Sequence, residues 1–163
     1  MKVKFKLKTY LPLLVIFSII ISLVIAKAVI TSDYSSQSTM LDFMAGFFIV
    51  FGCFKIVRLS SFAEAYSLYD IVAKRSKVYA HIYPFIEVSL GLAFLFRFEV
   101  IFIAWATLLL MIVNSVGAYT GIRDRKVLMC ACLGAVFKLP MSYVTLGEDL
   151  LMAVMAVFII FMA

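Results

Sequence analysis

The chain has 163 residues, 66% hydrophobic and only 15% charged, with a net charge of +6 and a mean hydropathy of +1.14. Soluble domains hold about half apolar residues, so this composition excludes a soluble enzyme or binding module and calls for a bilayer as solvent. The charge is not a nucleic-acid footprint either, because the basic residues sit in short segments beside apolar runs with no soluble fold to array them.

A helix needs ~20 mostly apolar residues to cross ~30 Å of hydrocarbon. Five runs qualify: Tyr10 to Ile30, about Met40 to Val57, Tyr79 to Phe96, Val100 to Tyr119 and about Tyr143 to Ala163. The expected fold is therefore all-α, a multi-spanning helical bundle in the membrane. The basic opening "MKVKFKLKTY" before an apolar run also fits a signal peptide. Its apolar run exceeds the ~7 to 15 residues of a signal core, and "VIAK" is a weak cleavage site, so the reading is a retained anchor helix. Lys27, near the end of that span, is expected to snorkel to the headgroups.

Short cytoplasmic loops collect Lys and Arg. Of the 15 basic residues, all but Lys27 and Arg97 fall before span one, around the link from span two to three, or between spans four and five. This predicts the N-terminus inside and the C-terminus outside. The loop "TSDYSSQST" at 31–39 reads as a plain outer connector. In 60–77, "SSFAEAYSLYDIVAKRSK", Phe62, Ala65, Tyr66, Tyr69, Val72 and Ala73 recur at helical spacing, predicting an amphipathic helix on the cytoplasmic surface, capped by Ser60 or Ser61. Only "RFE" at 97–99 separates spans three and four, predicting a tight antiparallel hairpin of neighbouring helices. Pro84 lies near the start of span three, where a missing N–H is least costly. The expected organisation is an N-terminal tail, anchor and outer loop over 1–39, followed by a four-helix membrane domain over 40–163.

Ionisable groups within hydrocarbon cost about 2.5–3.5 kcal/mol on insertion scales, so each needs a partner or a purpose. Glu87, Lys55 and Asn114 all fall in the same leaflet, so Lys55 is within reach of Glu87 with Asn114 beside them. Such a cluster either holds helices in register or relays protons. His81, with Tyr79 and Tyr83, starts span three and reads as interfacial. Glu148 and Asp149 open span five, where capping and pairing account for them.

The stretch "MCACLGAVFKLP" at 129–140 follows Arg123, Asp124, Arg125 and Lys126. Nearby cations favour the thiolate, the form that exchanges disulfides and binds metals. A bridge between Cys130 and Cys132 would close a very short ring and be easily reduced, which suits an electron carrier better than a staple. Met129, Cys130 and Cys132 also suit a soft metal such as Cu(I), and two thiols packing as small apolar groups is a third reading. Cys53 reads as a packing residue, although a relay from it to the pair is open should the spans meet. No cofactor is required, and no Walker loop, HExxH or Ser-His-Asp arrangement occurs.

Three stretches carry a family resemblance: "FMAGFFIVFGCFKIVRLSSFAEAYSLYDIVAK", "YPFIEVSLGLAFL" and "CACLGAVFKLPMSYVTLGEDLLM". Over about 43–155 the chain resembles the MauE branch of the DoxX-like integral membrane proteins, through a Gly-x-x-Lys pattern at Gly52 to Lys55, an E-x-x-x-G pattern at Glu87 to Gly91 and the Cys-rich segment. The resemblance implies a four-helix membrane core with span one added. It also implies a bacterial inner-membrane role in methylamine utilisation, in maturation of the disulfide-rich small subunit of methylamine dehydrogenase beside a thioredoxin-like partner. The combined expectation is a thiol-redox or maturation factor acting through Cys130 and Cys132, with the lipid bilayer and an exported disulfide-containing protein as partners. Thiols serving an exported client and yet lying on the inner face imply either electron transfer across the bilayer or a re-entrant segment.

Overall fold

The computed structural model describes residues 7–68, 70–123 and 143–162. These form six helices: α1 Leu7–Thr31, α2 Ser36–Val57, α3 Leu59–Tyr66, α4 Lys77–Leu95, α5 Val100–Arg123 and α6 Tyr143–Met162. All but α3 are long and apolar enough to cross a bilayer. Their outer faces carry large apolar side chains such as Ile30, Phe102, Leu109 and Phe161, a surface that only lipid can solvate at this extent. The chain is a multi-pass membrane protein with an all-α bundle, as its composition predicts.

The bundle is built from two tightly packed pairs, α2 with α4 and α5 with α6, joined where α4 meets α5 and α2 meets α6. The short 97–99 link does make α4 and α5 neighbours, but the principal partner of α4 is α2. The reason lies in two glycines. A Cβ on Gly52 would fall 2.6 Å from Val88 Cγ2 and 3.2 Å from the Pro84 carbonyl oxygen, and one on Gly91 would fall 2.8 Å from Ile49 Cγ1 and 3.0 Å from the Ile49 nitrogen. Each glycine thus admits the backbone of the facing helix, the close approach by which membrane helices gain packing energy without a hydrophobic driving force.

Among the described elements α1 packs against α2 alone. Ile20 abuts Gly46, and the Phe17 ring meets those of Phe43, Phe47 and Phe51 with centroids 5.8 to 6.3 Å apart. Lys27 Nζ donates to Asp42 Oδ1 at 2.6 Å. Arg97, the other basic residue of that end, donates to the same oxygen at 2.7 Å and to Ser38. One carboxylate therefore ties α1, α2 and the α4–α5 turn together. The turn itself closes as a Schellman motif, with Phe98 N–H donating to the Ala93 carbonyl, Arg97 N–H to Phe94, and Arg97 in the left-handed region at φ 55°, where glycine is usual. In the 32–35 connector, Asp33 Oδ1 accepts from the Ser35 amide, and this bond holds its carboxyl below the usual range. Ser35 in turn caps α2 by accepting from Ser38 N–H at 3.2 Å.

The 60–77 segment departs from the expected surface helix. α3 ends at Tyr66, its N-cap is Arg58 without a side-chain bond, and neither Ser60 nor Ser61 caps it. Asp70 stops the helix: its Oδ1 accepts from the amides of Val72 at 2.9 Å and Ala73 at 2.7 Å, organising the turns that follow. Asp side chains compete with helix in this way. Phe62, Ala63 and Tyr66 are buried, as is Asp70, so α3 closes one end of the bundle against α2 and α4 rather than lying on the membrane surface. Pro84 also sits deeper than expected. Because α4 starts at Lys77, with Ser76 as cap, the proline is inside the helix and buried beside Gly52.

Candidate functional site

The close approach of α2 and α4 sets the site. Lys55 lies one turn after Gly52, and Glu87 one turn before Gly91, so each charged residue shares a face with the glycine that brings the helices together. Lys55 Nζ donates to both Glu87 oxygens, at 2.5 and 2.6 Å, with the two side chains 9% and 4% exposed. The ammonium also lies 5.6 Å from the centre of the Phe62 ring and 5.2 Å from that of Tyr83, within range for cation–π attraction. The pair expected from depth alone is formed.

Asn114 both accepts and donates beside this pair. It lies in the same site, but its bonds are to phenols: Tyr66 Oη donates to Asn114 Oδ1 at 2.8 Å, and Asn114 Nδ2 donates to Tyr83 Oη. It thereby links α5 to α3 and α4. The rings of Tyr66 and Tyr83 lie 4.6 Å apart, and Phe62 stacks on both at 5.1 and 6.0 Å. These rings form an aromatic wall over the Lys55–Glu87 pair.

From α6, Thr145, Glu148 and Asp149 complete a cavity of about 20 Å³ lined also by Lys55, Glu87, Tyr66, Tyr83 and Asn114, room for about one water. This corrects the reading of Glu148 and Asp149 as plain capping residues, since both line the buried site. Tyr66, Tyr83 and Thr145 were not legible as site residues, because tyrosines near a membrane boundary ordinarily signal the interface. A signal for the carboxylates did exist: adjacent acids in an apolar helix are costly wherever they face lipid.

Met129, Cys130 and Cys132 lie outside the described residues. Cys53 is exposed on α2 rather than packed. His81 is exposed, with its Nδ1 2.8 Å from the Lys77 carbonyl oxygen. Among the described residues no three His, Cys, Asp or Glu side chains are arranged to hold a metal.

The fold and site define a polytopic helical membrane protein with a buried ammonium–carboxylate centre enclosed by aromatic rings and further acids. The chain belongs to the MauE family: the family described as methylamine utilisation protein MauE matches residues 36–162. The match begins at the first residue of α2 and ends with α6, so it takes in every element of the site and leaves out α1. No curated protein and no solved structure matches the chain.

Proposed function

We propose that this protein is a bacterial inner-membrane maturation factor of methylamine utilisation, of the DoxX-like kind, that passes thiol redox equivalents through Cys130 and Cys132. The observation that carries the reading is one of connectivity. Segment 124–142, which holds both cysteines, joins two helices that each contribute to the buried site, α5 through Asn114 and α6 through Thr145, Glu148 and Asp149. The described helices on either side of the thiol-bearing segment thus both line the cavity that Lys55, Glu87 and Asn114 shape. Family membership supports the methylamine role.

In the exchange, a thiolate of the pair attacks a client disulfide, forming one S–S bond as the client's breaks, and a client thiolate leaves. The second cysteine loses its proton and attacks the mixed disulfide, so the pair ends oxidised and the client reduced by two electrons. A thioredoxin-like dithiol then reduces the pair; run in reverse, the steps oxidise a client. Placing the N-terminus inside is part of the same reading. It is supported by Arg58, Lys74, Lys77 and Arg123 at the site's end of the bundle, opposite the Lys27 and Arg97 end. A division into 1–39 and a 40–163 domain is supported by α1 packing, among the described elements, on α2 alone.

The test is a Cys130→Ser/Cys132→Ser chain in a host growing on methylamine, with membrane levels followed in parallel. Loss of growth at an unchanged membrane level is expected, and wild-type growth overturns the reading. In a Cys53→Ala background, maleimide labelling of the pair only after reduction marks it as oxidised at rest. Stoichiometric Cu(I) held through Met129, Cys130 and Cys132 by the purified, reduced chain would assign soft-metal handling instead. Retained function in the cysteine-to-alanine chain would assign a non-catalytic assembly role.

A further inference from the structure

Among the described residues, the lining of the buried site holds more acid than base. Its described lining includes three carboxylates, Glu87, Glu148 and Asp149, and one cation, Lys55. The ammonium is held by both oxygens of Glu87, and Glu148 and Asp149 line the same cavity from α6. Asp149 is the acid whose setting points to a ligand. Its Oδ2 is shielded from solvent and accepts no hydrogen bond, a setting that strongly disfavours an ionised carboxylate unless a proton or a cation joins it. The adjoining cavity of about 20 Å³ has room for a water but not for an organic cation.

We propose that Asp149 is a proton-binding site, holding one proton on Oδ2 at neutral pH and exchanging it through the water-sized cavity. Binding forms one O–H bond and lowers the negative charge of the site by one; release restores the carboxylate, and no electron moves. The groups that face it set when this happens. Lys55 of α2, Glu87 of α4 and Glu148 of α6 line the same cavity. Asp70 of the turn after α3 is also buried, with an Oδ2 that likewise lacks a hydrogen bond. Tyr66 of α3 and Tyr83 of α4 supply neutral hydroxyls, already engaged with Asn114 of α5. Reduction of a disulfide to two thiols takes up two protons, and this site, protonated at neutral pH, can supply one of them inside the bundle. That consequence rests on the thiol reading, whereas proton binding itself does not.

The test is infrared difference spectroscopy of the full chain in lipid nanodiscs, titrated from neutral to alkaline pH, for the wild type, Asp149→Asn and Cys130→Ser/Cys132→Ser. The expected result is a protonated-carboxyl stretch at neutral pH that shifts in D₂O and disappears on alkalinisation. It should be lost in Asp149→Asn and kept in the cysteine variant, so a failure of the thiol reading leaves it standing. A wild-type spectrum without the band overturns the proposal, as does a band that survives in a folded Asp149→Asn chain. Should Asp149→Asn not fold, Asp149→Glu replaces it, with a displaced band expected and an unmoved band overturning the assignment. A missing band together with a melting temperature that rises with Na⁺ would assign a monovalent cation in place of the proton, and would equally overturn it.

Discussion

Substitution of Lys55 by Met removes the single cation among the described residues lining the cavity and leaves Glu87, Glu148 and Asp149 facing one another. The magnitude follows from the geometry. At 2.5 to 2.6 Å, with both side chains more than nine-tenths buried, solvent screening is slight. At an effective dielectric of about 20, unit charges so placed attract by roughly 6 kcal/mol. Most of that attraction is offset by the cost of taking both groups out of water, so the pair contributes little relative to a well-packed apolar replacement. Breaking it is a different matter, because the stranded carboxylate keeps its desolvation cost. Lys55→Met is expected to lose about 3–5 kcal/mol, while the Met side chain preserves most of the packing of the lysine stem. Glu87→Gln should cost less, since its carbonyl still accepts from the ammonium. The double variant Lys55→Met/Glu87→Leu should return to within about 2 kcal/mol of wild type, because it leaves no stranded partner of the pair. Reversible unfolding in mixed detergent micelles, followed by far-ultraviolet circular dichroism, measures all four chains. A Lys55→Met chain within about 1 kcal/mol of wild type would refute the reasoning, as would a double variant no more stable than the single.

Gly52→Ala and Gly91→Ala force a methyl into contacts of 2.6 and 2.8 Å and should each cost about 1–3 kcal/mol. Gly147→Ala meets nothing within 4 Å and should be neutral or slightly stabilising in the same assay. Tyr66→Phe removes the donor to Asn114 and should cost about 1 kcal/mol; Asn114→Leu removes the bridge between two buried phenols and should cost about 1–3 kcal/mol. An unchanged midpoint in Asn114→Leu would show that the bridge adds nothing. Asp42→Asn weakens the hold on Lys27 and Arg97 at once, and a modest loss of about 1 kcal/mol is expected because both cations are partly exposed. Faster proteolysis between α1 and α2 would show where that loss falls, and an unaltered cleavage rate would separate the ion pairs from the seating of α1.

The five spans were legible because each needs only a long apolar run, a property of consecutive residues that the bilayer reads without reference to the rest of the chain. The Lys55–Glu87 pair was legible for a related reason: a charge in hydrocarbon demands a partner, and one acid lay at matching depth. Where the sequence reading failed, the deciding contact lay between residues far apart in the chain. The helical spacing of 60–77 continues past Tyr66, but Asp70 draws the amides of Val72 and Ala73 into a turn, and α3 then docks its aromatic face on α4. Lys27 pairs with Asp42 because α1 packs along α2, which no local pattern reveals. Glu148 and Asp149 look like helix-start acids until α6 is seen to turn them toward the same cavity as Lys55. Hydropathy alone thus determined that the chain crosses the membrane and how often. Which polar groups share the interior was decided by packing, because two helices at the same depth still have to be rotated face to face before their side chains can meet.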